Sequence, residues 1–173
     1  MDAVTPEIHQ GLYPDGCRFP LPELQYRQPI QGPSMTPAEA FAAIPLAAVC
    51  CDSSFDREEA HILKDQLIHR SPYRTMTALA FGELIDRLLH LFRRDHWQEL
   101  IRQAVPALTA AQQEVAYGLA AQLVFCDRVV KPEEEAFLAT LGSELSLPPG
   151  RAAQIQEVFA LLQRDVLAGE AGA

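Results

Sequence analysis

The chain has 173 residues, of which 49% are hydrophobic and 21% charged, an ordinary composition for one folded domain with a sizeable core. A formal net charge of −9 argues against general nucleic-acid binding, because such binding needs clustered lysine and arginine. The four cysteines have no paired spacing, and there is neither a secretory leader nor an apolar run of membrane-spanning length, so we expect a cytoplasmic protein without a transmembrane segment.

Residues 1–34 are rich in proline and are predicted to form an extended arm. They hold six of the thirteen prolines, and their apolar residues follow neither a helical nor a strand period. Such an arm could lie across the folded domain, and a disordered leader is the alternative. We assign the folded domain to residues 35–168 and a frayed tail to residues 169–173.

The helical part opens with a strong start signal. Thr36 and Glu39 have the spacing of a capping box, and Pro37 occupies the first helical position. The helix is predicted to run to about Cys51, and Pro45 is expected to kink it.

Six further helices are marked by apolar residues at helical spacing and by start and stop signals. Ser71-Pro72 ends the first of them, the chain breaks around Asp95, and Thr109 opens a second capping box with Gln112. The predicted segments are 56–69, 77 to about 95, 97–105, 109–126, 132–145 and 146 to about 167. In the last helix the expected core stripe is Ala152, Ile155, Val158, Phe159 and Leu162. Seven helices with short connections predict an all-α bundle.

Two segments of the chain share one pattern at a constant offset of 75 residues. Segments 50–63 and 125–138 each run from an apolar helix end through an aspartate and an apolar anchor residue to a pair of glutamates. The matched pairs are Asp52 with Asp127, Phe55 with Val130, Glu58 with Glu133, Glu59 with Glu134, Ile62 with Phe137, and Leu63 with Leu138. We therefore expect two pseudo-symmetric helix-loop-helix repeats in the bundle.

Over roughly residues 38–162 this pattern resembles the TerB-like family, the tellurite-resistance helical domains also found at the amino-terminal end of some DnaJ-like co-chaperones. The family pattern is an apolar helix, Asp-Gly, one residue, an apolar anchor and Glu-Glu opening a helix. Ser53 and Arg128 stand here in place of the glycine. The resemblance implies a non-catalytic adaptor that works with other proteins in a cytoplasmic or membrane-associated complex linked to tellurite and metal stress.

The two acidic corners are also a candidate metal site. A pseudo-twofold arrangement would bring them face to face, and four carboxylates suit a cation of the calcium or magnesium type. The candidate ligands are Asp52, Glu59, Asp127 and Glu134. This predicts, as the alternative function, a divalent-cation sensor. The structural interpretation of the same residues is that the aspartates cap helices and the glutamates complement helix dipoles.

Two rows of polar residues offer further candidates. Glu58, His61, Asp65 and His69 share one flank of the second helix, where they could meet a transition metal or form a solvated face. On the third helix, a row of basic residues could bind an acidic partner or a lipid headgroup. The alternative is that this row is the solvent-exposed face of an amphipathic helix. The candidate partner-binding residues are Arg87, His90 and Arg94, together with Trp97 as a candidate exposed aromatic contact.

Motifs of enzyme active sites are missing from the sequence. It contains no Gly-rich phosphate loop, no Gly-x-Ser-x-Gly elbow, no His-Glu-x-x-His and no Cys-x-x-Cys. Cys126 has an apolar setting and no histidine after it in the chain, which argues against a nucleophile. We therefore expect a protein without catalytic activity.

Overall fold

A computed structural model describes residues 35–51, 57–127 and 130–164, without the side chains of residues 57–59 and 127. These residues form six α-helices and no strand, which confirms the predicted all-α bundle. The helices are α1 Pro37–Val49, α2 Arg57–Ile68, α3 Ala78–Ala104, α4 Ala110–Val124, α5 Pro132–Glu144 and α6 Arg151–Leu162. The predicted arm, at residues 1–34, and the predicted tail, at residues 169–173, lie outside the described residues.

Helix α1 is the most deeply buried helix of those described. It packs against α3 and α4, and six of its side chains have no exposed surface, namely Ala40, Ala42, Ala43, Ile44, Leu46 and Ala47. A helix that is apolar on all sides belongs in the interior, and its alanines let neighbouring helices approach closely. The helix runs continuously through Pro45, the residue at which the sequence predicts a kink.

The predicted helix starts are confirmed where a threonine supplies the cap. The Thr36 hydroxyl accepts a hydrogen bond from the Glu39 amide at 3.3 Å, and Thr109 does the same for Gln112 at 3.3 Å. In each case the side chain of the third helical residue accepts the amide of the threonine, which completes both capping boxes. Thr77 caps α3 through the amide of Ala80.

The break predicted around Asp95 appears as a single non-helical residue inside α3. His96 has φ 62° and ψ 173°, while the residues on either side belong to the same long helix. Two of the seven predicted segments are therefore the two arms of one interrupted helix. Trp97, directly after the break, packs edge-to-face against Phe137 of α5, with 5.1 Å between the ring centroids.

The last helix starts later than the sequence predicts. Segment 146–149 is not helical, and α6 begins at Arg151 after Gly150, which has φ 76°. A positive φ is readily adopted only by glycine, so Gly150 rather than Ser146 sets the direction of α6.

The repeat in the sequence reappears in the helix bounds. A shift of 75 residues carries α2 onto residues 132–143, and α5 occupies Pro132–Glu144. The same shift carries α1 onto residues 112–124, within α4. The loop segments 52–56 and 128–129, which join these pairs, lie outside the described residues.

One buried polar side chain joins three segments of the bundle. Gln113 of α4 is only 5% exposed. Its amide nitrogen donates to the carbonyls of Val105 at 3.2 Å and Leu108 at 3.0 Å, and its oxygen accepts the amide of Ser146 at 2.7 Å. The end of α3, the start of α4 and the segment before α6 are therefore tied together inside the core.

Candidate functional site

Only one of the four candidate metal ligands has a described side chain. Asp52 and the side chains of Glu59 and Asp127 lie outside the described residues. The carboxylate of Glu134 accepts the amide of Lys131 at 2.8 Å, at the start of α5. Glu134 thus caps the start of α5, whereas the structural interpretation assigns capping to the aspartates and places the glutamates along the helix dipole. The cation site stays a prediction. Among the residues that the structure describes, no three His, Cys, Asp or Glu side chains are grouped closely enough to hold a metal ion.

The histidine row on α2 reduces to one exposed pair. His61 Nε2 lies 3.6 Å from Asp65 Oδ2, and the two side chains are 72% and 53% exposed. His69 lies just past the end of α2 and is exposed. The side chain of Glu58 is not among the described ones. The described geometry favours a solvated helix face with one pair at i, i+4 spacing.

On the basic edge of α3, Arg87 makes a tertiary contact. Its guanidinium forms an ion pair with Glu39, a buried residue in the first turn of α1. Burial raises the pKa of Glu39, but hydrogen bonds from Thr36 and the charge of Arg87 outweigh it and lower the pKa below its ordinary value. Arg87 therefore fastens α3 to the amino-terminal end of α1.

The other three residues of the candidate partner surface differ in their surroundings. Arg94 pairs with the adjacent Asp95, His90 is exposed, and Trp97 is half-buried against Phe137. The four side chains therefore differ in exposure and in their contacts, and they do not form one uniformly exposed surface. Their role in partner binding stays a prediction.

A groove with a volume of ≈580 Å³ opens between the start of α1, the turn after α2 and the start of α4. Its lining is mostly apolar, with Pro37 and Phe41 from α1, Pro72 and Tyr73 from the turn, and Val115 from α4. Val115 is 47% exposed. Several of the described residues at its edges are exposed, among them Pro37 and Pro72.

Tyr73 fixes the floor of the groove. It is 3% exposed, and its hydroxyl donates to the carbonyl of Ala38 at 2.5 Å. Its ring lies between Phe41 at 6.4 Å and Phe81 at 6.3 Å between centroids. Burial raises the pKa of Tyr73 well above its ordinary range, so the hydroxyl remains a neutral donor. The floor is thus held in one arrangement.

Arg70 is the one charged residue among the described residues that line the groove. Its Nε donates to the carbonyl of Gln66 at 3.2 Å, and the side chain is half-buried. Four arginines of the described bundle pair with carboxylates, among them Arg102 with Glu99 and Arg151 with Glu114. Within residues 35–51, 57–127 and 130–164, Arg70 has no such ion pair.

The outer face of α6 exposes three large apolar side chains. Val158 is 54% exposed, Leu161 56% and Leu162 73%. The prediction that Val158 and Leu162 belong to the core stripe is therefore wrong. The inner side of α6 makes the contacts with the bundle, through the stacking of Phe159 on Phe125 and a hydrogen bond from Gln156 to the Tyr117 hydroxyl.

No pattern in the sequence marks the groove as a site. In the sequence, Pro37 and Pro72 indicate only where a helix starts and where a helix stops. Val115 lies close to them in the fold because α1 packs beside α4. Helix α6 has apolar residues on both of its sides. Their spacing alone does not predict which side packs against the bundle.

Comparisons with protein-family models, with curated proteins and with solved structures found no match for this chain. None of the helices in the described ranges combines the length and apolar character needed to cross a bilayer.

Proposed function

We propose that this chain is a non-catalytic interaction module, an adaptor that holds a partner protein against the outer face of α6. The observation that carries the proposal is the exposure of Val158, Leu161 and Leu162 on one helix. They lie three and four residues apart and so share one side of α6. Grouped apolar side chains on a surface mark interaction sites more often than single ones do.

The cellular setting of the proposal comes from the sequence. The two acidic loop segments resemble the TerB-like pattern, and the resemblance supports a cytoplasmic or membrane-associated complex linked to tellurite and metal stress. The absence of known catalytic motifs from the sequence supports a non-catalytic role. Arg87, His90, Arg94 and Trp97 remain candidates for a second contact with the partner.

The proposal predicts that polar substitutions on α6 abolish partner capture. Wild-type protein and a variant carrying Leu161→Ser and Leu162→Ser are used to capture proteins from an extract of the source cells, followed by quantitative mass spectrometry. A captured partner, once purified, should bind the double variant about tenfold more weakly or worse, because burial of two leucine side chains is lost.

Leu79→Ser is the matched control. Leu79 is 73% exposed, as Leu162 is, but it lies on α3. The control should bind the partner as the wild type does, and circular dichroism should give the same helix content for all three proteins. Equal binding of the partner by the wild type and the α6 variant would refute the proposal.

A further inference from the structure

We propose that the groove between α1, α4 and the turn after α2 binds an extended peptide segment of a partner protein, in which apolar side chains lie next to a carboxylate. This adds a second surface to the proposed interaction module. It does not depend on the face of α6, so each proposal can fail alone.

The form of the groove favours a peptide over an enclosed small molecule. Its ≈580 Å³ lies within the range of ligand sites, about 300–1,000 Å³. However, the residues along its edges are exposed, among them Pro37, Pro72 and Val115. A segment of chain can pass across such an open groove, whereas a small ligand there would keep much of its surface in water.

The apolar lining suits an extended chain. Pro37 and Pro72 present rigid rings without amide hydrogens, and Phe41 and Tyr73 place aromatic rings behind them. Grooves lined by aromatic rings recognise extended proline-containing segments, because these lose little conformational entropy on binding. The fixed position of Tyr73 reduces the ordering that the groove itself must undergo.

The positive charge of the groove favours a peptide that carries a carboxylate. Arg70 is anchored through Nε to the carbonyl of Gln66, which leaves its two terminal nitrogens for a ligand. A guanidinium prefers a carboxylate, to which it can donate two parallel hydrogen bonds. The amino-terminal end of α4, which reaches the groove at Ala111, adds partial positive charge of the same sign.

The experiment begins with selection of phage-displayed peptides on the full-length protein. The expected consensus has aspartate or glutamate beside leucine, proline or phenylalanine. Binding of the synthetic consensus peptide is then measured by fluorescence anisotropy. Arg70→Gln should raise its Kd about tenfold or more, because a charge-assisted pair is lost. Val115→Asp, on the opposite wall, should weaken binding as well by repelling the peptide carboxylate.

Arg74→Gln is the matched control, because Arg74 is exposed and does not line the groove. It should leave the Kd unchanged, and so should the Leu161→Ser, Leu162→Ser variant. Failure to enrich any peptide, a basic consensus, or equal binding by Arg70→Gln would overturn the proposal. Decanoate is titrated in parallel, and saturable binding of this acid that depends on Arg70, without any peptide binding, would overturn it in favour of a small amphiphilic ligand.

Discussion

At the scale of single residues, Gln113 shows how a polar side chain is accommodated in an apolar core. Its oxygen accepts the amide of Ser146, and its nitrogen donates to the carbonyls of Leu108 and Val105. The Val105 carbonyl also accepts the amide of Leu108. A buried backbone group without a partner is costly. Gln113 therefore binds backbone groups of two connecting segments, at residues 105–108 and at Ser146, to helix α4.

Replacement of Gln113 by alanine should lower the free energy of unfolding by about 3 kcal/mol, because it removes three hydrogen bonds and opens a cavity in the core. The measurement is chemical denaturation followed by circular dichroism. Gln122→Ala is the control, since Gln122 is an exposed glutamine on the same helix. Similar stabilities for the two variants would show that the hydrogen bonds of Gln113 contribute little.

At the scale of elements, the interruption of α3 is the least ordinary feature of the helices described. His96 adopts a φ and ψ combination that is essentially restricted to glycine. The backbone returns to helix directly after it, where Trp97 meets Phe137.

Glycine at position 96 should therefore stabilise the protein. His96→Gly removes the steric strain of the side chain, and we expect a gain of about 1 kcal/mol in the free energy of unfolding. His90→Gly, in a regular and exposed part of the same helix, should instead cost about 1 kcal/mol. Thermal and urea denaturation of both variants test this difference in sign, and a loss of stability in both would contradict the strain at His96.

The elements were predictable to different degrees, for physical reasons. Thr36 and Thr109 define helix starts through contacts three residues apart, so the local sequence contains the whole interaction. The start of α6 lies later than predicted, because Gly150 at positive φ and a turn from the Arg151 amide to the Pro148 carbonyl precede the helix. The groove forms from residues of α1, α4 and the turn after α2, which are far apart in the chain. No local sequence pattern therefore predicts it.

At the scale of the whole molecule, the repeat relates the two halves of the bundle. Because α2 and α5 keep the offset of 75 residues that the loop segments have in the sequence, the pairs α1–α2 and α4–α5 are equivalent elements. Helices α1 and α4 pack directly against each other. The acidic corners lie outside the described residues, and the prediction that they act together stays a prediction.

The predicted cation sensor is tested by calorimetric titration of calcium, magnesium, manganese and zinc into metal-stripped protein. If the corners form one site, binding should be saturable for at least one of these ions and should be lost in the Asp52→Asn, Asp127→Asn variant, because each substitution removes a carboxylate charge. Asp65→Asn on the exposed face of α2 is the control. Unchanged affinity in the double variant would leave the aspartates as structural residues.

The central position of α1 has a consequence for biosynthesis. This helix, apolar on all sides, is made before the helices that cover it, and 75 more residues must be added between the end of α1 at Val49 and the end of α4 at Val124. At about 5–20 residues per second, this takes roughly 4 to 15 seconds. During that interval α1 is an apolar segment that α4 does not yet bury. We therefore expect the ribosome tunnel, and then the chaperones at its exit, to protect α1 from aggregation.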